Sequence, residues 1–94
     1  MIKVKIRSIL TIRKILGQGE VEISVPEGST LRDLVSTMLS MWKELSPYVV
    51  ETDKGTIPPV RFMINGRDIA FLNRMETVLQ DEDEVLMLPP VSGG

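Results

Sequence analysis

The residues best suited to chemistry stand at the end of the sequence, in Pro89-Pro90-Val91-Ser92-Gly93-Gly94. A terminal Gly-Gly presents an unhindered carboxylate. Neither glycine has a Cβ, so both can thread a narrow channel in backbone conformations closed to other residues. The six residues from Pro89 reach ~20 Å when extended, and the two prolines stiffen the base of that arm. Gly94 is the candidate reacting group, with Gly93, Ser92, Val91, Pro90 and Pro89 positioning it. The competing reading is an ordinary frayed terminus.

Other chemistry finds little support. The chain has no Cys and no His, which excludes disulfides, Cys/His zinc sites, a cysteine nucleophile and any His-based triad. Gly17-Gln18-Gly19 resembles a fragment of a phosphate loop, but a β-branched strand follows it where such a loop needs a helix N-terminus. Asp81-Glu82-Asp83-Glu84 could offer oxygens to a hard cation, yet lacks the glycine and ligand spacing of a calcium loop. It reads as a solvated turn, and no metal site is expected. A net charge of −2 argues against nucleic acid as a partner. No segment is long enough to span a membrane. The N-terminus alternates charged and apolar residues, unlike a signal peptide, so the cytoplasm is the expected location.

The elements that must carry the arm follow from periodicity. Ile2, Val4 and Ile6 alternate with Lys3, Lys5 and Arg7, and Val21, Ile23 and Val25 with Glu20, Glu22 and Ser24. Both runs have the period of a strand with one buried face, and they should form a hairpin. Residues 8–16 fit either a longer strand or a short helical turn, and Gly17-Gln18-Gly19 breaks the pattern. After a Pro26-Glu27-Gly28 turn, Ser29 or Thr30 can cap a helix. Its core face is Leu31, Leu34, Val35, Met38, Leu39 and Trp42, and it should stop near Leu45 because Pro47 disfavours helical geometry at Ser46. Residues 48–59 read as a loop with a turn at Asp53-Lys54-Gly55. Val60, Phe62 and Ile64 form a third strand, Asn65-Gly66 a hairpin turn, Arg67 to Leu72 a short return strand and link, and 73–79 an irregular stretch. Val85 to Leu88 is the last strand, and prolines 89 and 90 end it.

The predicted order is β-β-α-β-β-β, an α+β domain over residues 1–88 with one main helix across a mixed sheet, and a flexible tail over 89–94. A right-handed crossover would set the last strand beside the first. The first nineteen residues hold five bases and no acid, and the last nineteen hold five acids and no base. Either the two ends pair with each other, or the basic end faces an acidic partner.

Ile64-Asn65-Gly66-Arg67-Asp68-Ile69, the run from Leu79 to Val85 and the Pro-Pro-Val-Ser-Gly-Gly ending resemble the second half of MoaD-type proteins, the small subunits of molybdopterin synthase. Val25-Pro26-Glu27-Gly28-Ser29-Thr30-Leu31 resembles their approach to the helix. One departure is Glu82, where that family has Gly in an Asp-Gly-Asp-Glu turn. The resemblance implies a ubiquitin-like β-grasp fold and a sulfur-carrier cycle. An E1-like adenylating enzyme of the MoeB type would use ATP to convert Gly94 to an acyl-adenylate. A sulfur donor would displace AMP and leave a thiocarboxylate, so no cysteine is needed. A large catalytic subunit of the MoaE type would then receive the arm and pass sulfur to a pterin precursor. The chain itself would be a non-catalytic, sulfur-donating subunit. A modifier joined to lysines through the same activated Gly94 is the alternative, and an interaction module with an inert tail the third reading.

Two further expectations concern packing. Leu39 is placed in the core, so Leu39→Ala should cost about 2–5 kcal/mol. On the outer sheet face, Met63, Leu86 and Leu88, flanked by Lys3, Lys5 and Arg61, form a candidate docking surface for both enzymes, since exposed apolar groups rimmed by charge often mark such sites.

Overall fold

The computed structural model describes residues 1–49 and 60–89. The predicted turn at Asp53-Lys54-Gly55 and the arm from Pro90 to Gly94 lie outside the described residues. β1 (Ile2–Ser8) turns Ile2, Val4, Ile6 and Ser8 inward and pairs antiparallel with β2 (Glu20–Val25), from Ile2↔Val25 to Arg7↔Glu20. Between them the ambiguous stretch is a helix, α1 (Leu10–Leu16). Its Ile12 and Leu16, four apart, share the buried face. Gly17 ends it at φ +85, its N–H donating to the Arg13 carbonyl at 2.9 Å.

Thr30 starts α2 (Leu31–Met41) with a capping box. Its hydroxyl accepts from the Asp33 N–H at 3.2 Å, and its own N–H donates to the Asp33 carboxylate at 3.0 Å. α2 ends earlier than the sequence predicts, because Trp42 leaves helical geometry at φ −132, ψ 88. A 3-10 turn (Lys43–Leu45) and a second short helix, α3 (Ser46–Val49), follow. Ser46 is helical at φ −47, ψ −49 despite Pro47. Proline in a first helical turn forfeits no intrahelical bond, and burial of Leu45 and Val49 favours the turn. Tyr48 and Val49, expected in a loop, are therefore helical.

β3 (Arg61–Ile64) and the two-residue β4 (Arg67–Asp68) form the predicted hairpin, with Asn65 and Gly66 both at positive φ, 50° and 83°. The stretch expected to be irregular carries a 3-10 turn at Arg74–Glu76 that buries Met75. Leu31 N–H to the Thr77 carbonyl (2.9 Å) and Leu79 N–H to the Ser29 carbonyl (2.8 Å) tie that stretch to the start of α2. β5 (Glu84–Leu88) completes a sheet of order β2-β1-β5-β3-β4, parallel between β1 and β5 and antiparallel elsewhere.

Among the described residues, two strands thus precede the main helix and three follow it, with α1, α3 and the 3-10 turns added to the predicted order. α2 covers one face of the mixed sheet in the β-grasp manner. Ile2, Val4, Ile6, Val21, Ile23, Phe62, Ile64, Val85 and Met87 of the sheet are buried, together with Leu34, Val35 and Met38 of the helix. Leu39 and Trp42 are only half-buried against this core, so the large cost assigned to Leu39→Ala belongs to Met38. Each large side chain fully enclosed here contributes about 1.5–3 kcal/mol relative to exposure.

Candidate functional site: the root of the C-terminal arm

β5 occupies the middle of the sheet, between β1 and β3. It runs Glu84 to Leu88 and hands the chain to Pro89, so the arm leaves from a strand hydrogen-bonded on both sides. Such a base holds the arm's origin fixed whatever the arm does.

The turn that launches β5 is more tightly built than a solvated acidic run. Asp83 is buried. One of its carboxylate oxygens accepts from the Asn65 side-chain amide at 2.8 Å and the other from the Gln80 N–H at 2.8 Å. Asn65 in turn accepts from the Glu84 N–H at 3.0 Å. Asp81 accepts from the Lys3 N–H at 2.8 Å. Glu82, where the MoaD-type turn has Gly, takes φ +71, so the turn keeps a left-handed position although a side chain occupies it.

The two oppositely charged chain ends are neighbours. Lys5 stands opposite Glu84 in the parallel register. Arg7 donates to Glu84 at 3.0 Å and to Glu20 at 3.2 Å, bridging β5, β1 and β2 across the outer face. These groups are about half exposed, where such pairs contribute roughly 0–1 kcal/mol.

The proposed docking residues do not all lie together. Met63 stands opposite Leu86, and Arg61 opposite Leu88, on the outer face. All three apolar members are half-buried. Arg7, not Lys3 or Lys5, is the base in register with Leu86. Because the parallel pairing begins at Lys5↔Glu84, Lys3 lies at the end of the sheet away from the arm, with its side chain 4.0 Å from Glu22. Arg61 is not free either: it donates to Asp68 at 2.6 Å. The Ala70 N–H and then the Arg61 guanidinium, both bonded to Asp68, hold its carboxyl below the usual carboxylate range.

The structure also exposes residues that the sequence did not single out. Ile9 and Leu10, at the β1–α1 junction, are 44% and 68% exposed, and Phe71 is 85% exposed. The only signal at residues 9 and 10 was an apolar pair without a settled secondary structure.

The ThiS family model matches residues 10–94, through the last glycine. This chain belongs to the ThiS family. A relative from Haloferax volcanii, small archaeal modifier protein 3, is 30% identical over 98% of this chain and 99% of its own length. The solution structure of small archaeal modifier protein 1 from Methanosarcina acetivorans is 31% identical, covers 100% of this chain and 98% of that one, and superposes with a TM-score of 0.81. A Pyrococcus furiosus protein provisionally named molybdopterin converting factor subunit 1 is 29% identical, covers 97% of this chain and 100% of its own, and gives 0.79. The fold is the ubiquitin-like β-grasp. For this ThiS-family chain, no helix among the described residues is long and apolar enough to cross a membrane.

Proposed function

We propose that the protein is a ubiquitin-like carrier whose terminal Gly94 carboxylate is adenylated by an E1-like partner with ATP and converted to a thiocarboxylate. The observation that carries this reading is the ThiS-family match running to Gly94. A carboxylate is a poor electrophile, and adenylation supplies AMP as a leaving group. Attack by a sulfur donor on the acyl carbon then breaks the acyl–phosphate bond and leaves sulfur on the terminal carbonyl. The chain contributes the reacting terminus, the slender Gly93-Gly94 entry into the partner's site and a fixed root. The proton-transfer and phosphate-binding groups belong to the partner.

The acceptor we favour for the sulfur is a pterin precursor bound by a MoaE-type large subunit, a reading supported by the Pro-Pro-Val-Ser-Gly-Gly ending and by likeness to the Pyrococcus protein. The second reading, conjugation of Gly94 to lysines, is favoured by a specific observation. The relative aligned over 98% of this chain at 30% identity bears the name of a modifier. Both fates share the adenylate. ATP–pyrophosphate exchange with the adenylating enzyme tests that shared step. Deleting Gly94 should abolish exchange while leaving the melting temperature unchanged. Full exchange by the truncated chain would contradict the assignment of the reacting group.

A further inference from the structure

We infer that Ile9 and Leu10 form a docking knob for the adenylating enzyme, placed against the root of the arm. The inference rests on the reading that Gly94 is adenylated. The parallel register closes at Ser8↔Met87, so Ile9 and Leu88 are the next residues of two adjacent strands. Ile9 is still extended, at φ −136 and ψ 164. It continues the outward alternation of Lys3, Lys5 and Arg7. It therefore extends the apolar group of Leu88, Leu86 and Met63 across the point where the chain departs.

Leu10 follows in a left-handed conformation, φ +53, and is 68% exposed. A bulky residue there is a steric outlier. Such strain persists only where the surroundings impose it and is concentrated at functional sites. The turn leads the chain from β1 into α1, which buries Ile12 and Leu16, and leaves the Leu10 side chain mostly in solvent near the root of the arm. Arg13 and Lys14, on the exposed side of α1, have no ion pair among the described residues. They place positive charge on the helix that Leu10 begins.

The occupant follows from the tether. Six residues from Pro89 reach ~20 Å at most, so an enzyme that acts on Gly94 must lie over the root, where Ile9 and Leu10 stand. Its chemistry is complementary: an apolar recess edged by carboxylates. A side chain seated in a fully desolvated recess contributes binding energy, and rim charges mainly govern the association rate and its salt dependence.

The test uses the full chain with the E1-like adenylating enzyme of the same organism, comparing wild type, Leu10→Gly and Ile9→Asp. Pyrophosphate exchange gives KM and kcat for the carrier, and direct titration without ATP gives the affinity. Leu10→Gly removes the knob and relieves the backbone. It should hold or raise the melting temperature, raise KM roughly tenfold or more and leave kcat within about twofold. Ile9→Asp should act the same way on KM. Exchange by wild type with unchanged KM in both variants would overturn the docking site and leave the function standing. Binding by wild type that is weakened in both variants, but with no exchange, would sustain the docking site and overturn the function. No binding and no exchange would overturn both.

Discussion

Glu82 concentrates a conflict between side chain and backbone. Its φ of +71 suits glycine, and an L-residue there costs about 1 kcal/mol or more. The turn holds nonetheless, because the Glu82 N–H donates to the Lys3 carbonyl at 2.8 Å and Asp83 is locked by Asn65 and Gln80. Glu82→Gly should therefore stabilise the protein by about 0.5–1 kcal/mol, the relief of strain exceeding the added entropy of the unfolded chain. Urea denaturation measures this, and a loss of stability would contradict it. Asp68 permits a second test at this scale. Its folded-state pKa lies below the ordinary 3.8. The stabilisation from its bonds to Ala70 and Arg61 is thus complete above that value and disappears as pH falls through the lower, folded-state value. A carboxyl-carbon NMR titration should place Asp68 below 3.8, and Arg61→Ala should move it upward. A midpoint at or above 3.8 in the wild type would contradict the assignment.

Among the elements, α2 shows how a helix can be legible in position and illegible in length. Apolar spacing, a cap at Ser29 or Thr30 and Asp33 were readable, because each acts within a turn of its neighbours, and the structure selects Thr30 as the cap. The stop at Trp42 was not, because it depends on how 43–49 fold back on the core. The same limit explains Leu39: period alone sets it on the core face, whereas in the packed structure it is half-buried at the edge of the core and Met38 is enclosed. Met38→Ala should cost about 2–5 kcal/mol, by lost burial and a residual cavity, and Leu39→Ala less than half as much. Equal losses on thermal or chemical denaturation would refute this division. The strands were readable from alternation, and the Asn65-Gly66 hairpin from its turn chemistry. α1 was not, since residues 8–16 mix apolar and basic side chains without a dominant period and the helix forms by burying Ile12 and Leu16. Of the candidate site, the Gly-Gly arm was legible because it is a matter of composition. The arrangement around its root was not, because strand register decides it. Register places Arg7 beside Leu86, sends Lys3 to the far end and brings Ile9 next in line with Leu88.

At the scale of the molecule, the Arg7–Glu84 pair joins the two oppositely charged chain ends, and Lys3 and Arg7 also meet acids of β2. These pairs brace the central strands, and Arg13 and Lys14 on α1 keep the basic character of the N-terminal end. What remains for a partner is an outer surface of half-buried apolar groups around the arm's root and the arm itself. A rigid sheet that fixes one end of a slender terminus suits a carrier that several enzymes handle in turn. That claim is tested most directly by intact and peptide mass spectrometry after incubation with the E1-like adenylating enzyme, ATP and a sulfur source. The expected product is a chain ending at Gly94 in which sulfur replaces one oxygen, located in the C-terminal peptide. A plain carboxylate on Gly94 with an enzyme shown to be active, and no lysine adducts, would contradict it.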